Sequence, residues 1–183
     1  MVEVWRKIQI GLLLGVLFLF TGCDAPEVVI VIAPGYDDAV IQVDFVKVPR
    51  TQKALWMAID LDEYFAPGDP LRQRALEQNA IHSVHYNIPG KKFQSTFSRN
   101  DPVWRRFGFD TNSTEQDFDI FVLADLPGSF DSSAADPRRR VIPLYRKAWP
   151  ASFLSRLFGG GRLDRLTVTV SQVGIFLDPA PVE

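Results

Sequence analysis

The feature that most constrains this chain is the stretch Ile8–Cys23, IQIGLLLGVLFLFTGC, which ends in the only cysteine of the 183 residues. Ile8–Phe20 is apolar except for Gln9. Ahead of it, Arg6, Lys7 and the N-terminal amine outweigh Glu3, and behind it Thr21 and Gly22 are small. A basic start, a short apolar run and small residues at a cleavage position are the three parts of a secretory signal peptide, and the run is short for a bilayer-spanning helix. The same residues suit three alternatives: an uncleaved membrane anchor, a signal cut without further modification, or a core helix. A secreted chain with a single cysteine has no partner thiol and no disulfide framework, so the remaining residues must fold on a hydrophobic core alone.

Leu19-Phe20-Thr21-Gly22-Cys23 resembles the lipobox of bacterial lipoproteins, with Phe20 where the family usually has Leu. The resemblance implies cleavage before Cys23 and lipidation, palmitate included, of that cysteine. The chain would then divide into a signal peptide (1–22), a lipidated N-terminus with a short linker (23–27) and one folded domain (28–183). At about 0.8 kcal/mol per buried CH₂, two or more acyl chains make a stable anchor. Asp24 resembles the enterobacterial signal for retention in the inner membrane. The domain would face the periplasm or the cell exterior, with inner or outer membrane left open.

A formal net charge of −2 gives no support to nucleic-acid binding, which wants a basic face. Hydrophobic residues make up 46%, and Pro and Gly recur between apolar runs, as in a folded β-rich domain. Val28–Ala33 reads as a buried strand stopped by Pro34-Gly35. In Ala39–Val48 the apolar phase runs through Ile41, Val43 and Phe45, then moves to Val46 and Val48, which predicts a bulge or twist near Phe45. Thr51–Phe65 offers two short helical turns. Asp69 is a good cap for a helix over Pro70–Asn79, and Asp101-Pro102 repeats the signal for a short helix through Phe107. His82–Ile88 and Phe93–Ser98, separated by Pro89-Gly90-Lys91-Lys92, read as a β-hairpin. Phe118–Ala124 is apolar on both faces and predicts a central strand. Pro143 makes Arg138–Tyr145 an edge strand. A helix over Pro150–Phe158, ended by Gly159-Gly160-Gly161, precedes Leu166–Leu177, whose change of parity predicts a bulge or a crossing between sheets. About seven strands, short helices and no βαβ rhythm predict an antiparallel β-sandwich with inserted helices.

Catalytic chemistry finds little to stand on. His82 and His85 lie three apart in a strand and point to opposite faces, which argues against joint metal ligation. Asp60, Asp62 and Glu63 lack the glycine and the spacing of a calcium loop. There is no G-x-S-x-G element, and the glycine run at 159–161 is not followed by the Lys-Ser/Thr of a phosphate-binding loop. Asp117 and Asp119 read as an exposed, solubilising pair. The expectation is a non-enzymatic protein with no cofactor, no resident metal, no nucleic acid and no identified small-molecule substrate. A ligand- or metal-binding module using the His82 and Asp60 region is the alternative. Contacts to another envelope protein are expected from the loops around Tyr64–Asp69 and Pro127–Pro137, because long loops on a rigid sandwich carry recognition. Arg138, Arg139 and Arg140 are either a contact patch for anionic lipid or an acidic partner, or charges that blunt a sheet edge.

The order of parts is also similar to the outer-membrane lipoprotein family of type VI secretion systems, TssJ. The likeness lies in the strand Val40–Val48 followed by the helical stretch Lys53–Phe65, the turn Ile88-Pro89-Gly90 before Phe93–Phe97, and the strand Asp119–Ala124 after Trp104-Arg105. It implies a compact β-sandwich that docks a periplasmic partner as a structural subunit.

Overall fold

The computed structural model describes residues 25–35, 37–89, 93–109, 116–131, 135–144, 163 and 165–181. The expected signal segment, Cys23, Asp24, the expected helix Pro150–Phe158 and the glycine run after it lie outside the described residues. Among the described residues, eight strands form two four-stranded sheets: β1 (Glu27–Ile32), β2 (Asp37–Pro49), β3 (Ile81–Pro89), β4 (Phe93–Phe97), β5 (Phe118–Asp125), β6 (Arg139–Ile142), β7 (Arg165–Ser171) and β8 (Gly174–Asp178). The first sheet has the order β4-β1-β7-β8, the second β3-β2-β5-β6. The expected mainly β sandwich is therefore what forms, with one pair, β1 and β7, running parallel. Among the described residues, no helix is long and apolar enough to cross a membrane.

Alternation along the strands builds the core between the sheets. Val28, Ile30 and Ile32 of β1, with Leu166, Val168 and Val170 of β7, face Ile41, Val43 and Phe45 of β2 and Phe118, Ile120 and Val122 of β5. Phe45 and Phe97 meet edge to face across it at 5.0 Å, a favoured aromatic geometry. α4 (Pro102–Arg106), capped by Asp101 as expected, adds Val103 and Trp104, with Phe107 just beyond.

The second sheet is apolar on its outer face as well, because helices cover it. A 3₁₀ turn (Arg50–Gln52) leads into α1 (Lys53–Ala58), α2 (Leu61–Phe65) and α3 (Pro70–Glu77). Trp56, Leu61, Tyr64 and Ala75 pack on Val46, Val48, Ile81, Phe121 and Leu123 in a second core. This corrects the bulge expected near Phe45: β2 pairs without interruption with β3 from Val40 to Val46 and with β5 from Gln42 to Pro49. The apolar phase changes because the outer face passes from open surface to helix-covered surface. The backbone itself stays regular there.

Two other readings are corrected. β3 and β4 are no hairpin, since β3 pairs with β2 and β4 with β1, in opposite sheets. Conversely, the parity change in Leu166–Leu177 is a hairpin: β7 turns at Gln172-Val173 and returns as β8, pairing Val170 with Ile175. Gly174, at φ +129° and packed on Pro137, admits this return where a side chain would not. β6 lies at the sheet edge as Pro143 required, and Ile175 N–H donates to the Pro137 carbonyl at 2.8 Å, joining the two sheets.

Candidate functional site

The loops expected to carry contacts lie where the helical insertion meets the end of β6, and a buried charge holds each in place. Asp44 lies on the outer face of β2, fully buried beneath the insertion. Its carboxylate accepts from the Tyr64 hydroxyl (3.1 Å), Arg72 Nε (2.8 Å), Ser83 Oγ (2.5 Å) and Gln42 Nε2 (3.1 Å). Burial first, and the Asp44 charge second, push the Tyr64 hydroxyl far above its ordinary pKa, so it stays a donor. Asp69 caps α3 by accepting from Arg72 N–H at 2.6 Å, which fixes the start of the helix that delivers the Arg72 side chain. The segment Ala66–Gly68 is thus an exposed loop clamped at both ends: by Tyr64 before it and Asp69 after it.

A second clamp comes from Arg138. Its guanidinium pairs with Asp136 (2.8 Å) and with Asp62 (2.5 Å), and lies over the Phe130 ring at 4.8 Å. Burial works against its charge, but the hydrogen bonds it donates to Asp136 and Asp62 outweigh that and raise its pKa. Asp62 belongs to α2, which leads into the Tyr64–Asp69 loop, whereas Phe130 and Asp136 belong to the 127–137 segment, so one side chain ties that segment to the helix ahead of the first loop. Arg139 reaches the carbonyls of Met57 and Ile59, the latter at 2.6 Å, at the C-terminal end of α1. Arg140 donates to the Arg139 carbonyl at 2.6 Å.

These placements correct the sequence reading of the arginines. Arg138 and Arg139 are 2% and 3% exposed. They are internal struts for the helical insertion, and neither an open charged edge nor a free patch. Tyr64, 1% exposed, likewise stabilises its loop from beneath. What the surface presents instead is their neighbours: Asp62, Glu63, Ala66, Pro67 and Gly68 on one side, Pro127, Gly128, Ser129 and Asp131 on the other. The exposed charges named here are all acidic. Asp119 was also misread: it is buried, 3.4 Å from Lys53 Nζ, while Asp117 is exposed. The signals for the buried acids are the lone Asp in the apolar run VIQVDFVKV and the Asp two places before Arg138.

The alternative centred on His82 and Asp60 is not assembled. Asp60 accepts from Asp62 and Glu63 N–H as the cap of α2. His82 Nδ1 is 2.6 Å from Arg106, its ring meets Phe97 edge to face at 4.8 Å, and burial, then the Arg106 charge, lower its pKa. His85 faces the other way and contacts Gln42 Oε1 at 3.1 Å. Among the described residues no three His, Cys, Asp or Glu side chains come together.

No protein-family model and no curated protein sequence matches this chain. Among solved structures it is similar to the type VI secretion lipoprotein TssJ1 of Pseudomonas aeruginosa, at 14% identity and a TM-score of 0.40, covering 87% of this chain and 98% of that one. It is also similar to Serratia marcescens Lip, a membrane-bound component of the type VI secretion system, at 17% identity and a TM-score of 0.37, covering 86% and 95%.

Proposed function

We propose that this chain is a lipid-anchored, non-enzymatic subunit of the cell envelope that binds another envelope protein, within a membrane complex of the type VI secretion kind. The observation that carries the reading is the junction of the lipobox-like Leu19–Cys23 with the sandwich: Ala25 is already buried in the core, so a lipid on Cys23 would hold the domain close against a bilayer. Support for the binding role comes from the composite loop surface. The exposed residues Ala66–Gly68 and Pro127–Ser129 lie next to side chains fixed in the buried Asp44 and Arg138 clusters, Tyr64 on one side and Phe130 on the other, and a preorganised surface loses little entropy on binding. Its acidic charges favour a partner with a basic contact face.

The test is photo-crosslinking in living cells, with a crosslinking phenylalanine analogue at Pro67, at Ser129 and, on the β7–β8 turn, at Val173. We expect Pro67 and Ser129 to yield adducts with the same envelope protein and Val173 to yield none. Adducts from Val173 alone, or different partners at the two loops, would contradict the shared surface.

A further inference from the structure

We infer that the cavity beside the tether is a site for the phosphate headgroup of an anionic glycerophospholipid. The inference rests on the tether reading above. The cavity, about 300 Å³, is bounded by Ala25, Arg99, Asp101, Trp104, Arg105 and Phe109. Its position argues for its occupant. Two peptide units span at most about 7 Å, so a lipidated Cys23 places the bilayer surface at the Ala25 wall.

Its chemistry suits that boundary. Trp104 and Phe109, 5.7 Å apart and edge to face, form an apolar floor, and the Trp104 indole N–H is turned to the Ser98 carbonyl at 3.0 Å. An aromatic body with its polar end satisfied is at home at the headgroup level. Charge follows the same logic. In sequence, residues 98–109 carry three arginines, Arg99, Arg105 and Arg106, and one acid, Asp101, in a chain whose net charge is −2. Arg106 is engaged by His82, whereas exposed Arg105 has no ion pair among the described residues. Asp101 lines the cavity too, but its carboxylate is turned to Val103 N–H at 3.0 Å as the cap of α4. A guanidinium meets a phosphate with two parallel N–H donors, and each basic side chain near an anionic surface strengthens attachment about fivefold. Arg105 would hold the phosphate, with the glycerol and upper acyl carbons over Trp104 and Phe109.

The test uses the full chain purified from membranes and placed in nanodiscs of phosphatidylcholine, or of phosphatidylcholine and phosphatidylglycerol in equal parts. Amide hydrogen exchange across residues 98–109 is read in both, and intact mass reports acylation of the same preparations. We expect exchange on the order of tenfold slower in the phosphatidylglycerol discs. Arg105→Glu should abolish the difference and Arg105→Lys should keep most of it, with exchange across β5 unchanged in every variant as the check on folding. Acylated protein that exchanges equally in both discs, or an effect that survives Arg105→Glu, overturns the headgroup site and leaves the tether standing. An unacylated mass overturns the tether reading, yet slowing that depends on both phosphatidylglycerol and Arg105 would still uphold the site. Equal slowing by inorganic phosphate in phosphatidylcholine discs would overturn the lipid assignment in favour of a free anion.

Discussion

Replacing Asp44 by alanine tests how the helical insertion is held. The carboxylate is fully buried and accepts from four side chains, two of them the Tyr64 hydroxyl and the Arg72 guanidinium. Removing one partner of a buried ion pair costs about 3–5 kcal/mol, because the other charge stays behind unpaired. Arg72 is 23% exposed and can turn partly to water, which moves the expectation to about 3–4 kcal/mol. Tyr64→Phe alone loses one charge-assisted bond and should cost about 1–2 kcal/mol. The double variant is the informative one. With Asp44 gone, the Tyr64 hydroxyl is a buried donor without its acceptor, so deleting it should return stability and leave the double variant no less stable than Asp44→Ala alone. Equilibrium urea unfolding of the detergent-solubilised full chain, followed by tryptophan fluorescence, measures all three; Trp56 lies 6.0 Å from the Tyr64 ring and reports this region. Simple additivity of the two single losses, or a loss under about 1 kcal/mol for Asp44→Ala, would refute a network centred on Asp44.

Three further outcomes are expected. His82 has a folded-state pKa below its ordinary 6.5, from burial and then from Arg106. As pH falls through the unfolded value the unfolded chain takes up the proton first, so stability drops with falling pH and levels off below the lowered folded-state pKa; His82→Gln should lose that slope, and an unchanged profile from pH titration of the unfolding midpoint would be contrary. Gly174→Ala would place a Cβ 2.6 Å from both the Cβ and the carbonyl oxygen of Pro137, at a φ of +129°. That should lower stability by about 3 kcal/mol, seen as a clear fall in Tm. Asp69→Ala should cost about 1 kcal/mol and raise exchange at the first turn of α3, since it removes the cap bond to Arg72 N–H.

The sequence carried the strands well and their partners poorly, for a physical reason. Alternation reports which side of a strand is covered, so Ile41, Val43 and Phe45 identify the inner face of β2 without any knowledge of neighbours. It does not report what does the covering. Val46 and Val48 looked like a bulge because the helices over them are supplied by residues 50–79, and only packing reveals that cover. Pairing is less legible still. His82–Ile88 and Phe93–Ser98 are close in sequence and both alternate, yet the chain between them crosses from one sheet to the other. The Leu166–Leu177 hairpin was hidden because Gln172-Val173 lacks the usual turn residues, and Gly174 after it was the one signal. Helix caps were legible at Asp69 and Asp101 because the cap bond is made within three residues. In the candidate site, Asp44 and Arg138 were visible as charges, but charge in a sequence reads as surface. Only the meeting of Asp44 with Arg72 and of Arg138 with Asp62, each far apart in the chain, makes them interior.

The most direct test of the account is intact mass and membrane fractionation of the full-length wild type beside Cys23→Ser. We expect wild type in the membrane fraction, with a mass showing cleavage before Cys23 and added acyl chains that the variant lacks. Wild type in the soluble fraction with no added acyl mass would contradict the tether, and with it the placement of the sandwich against a bilayer.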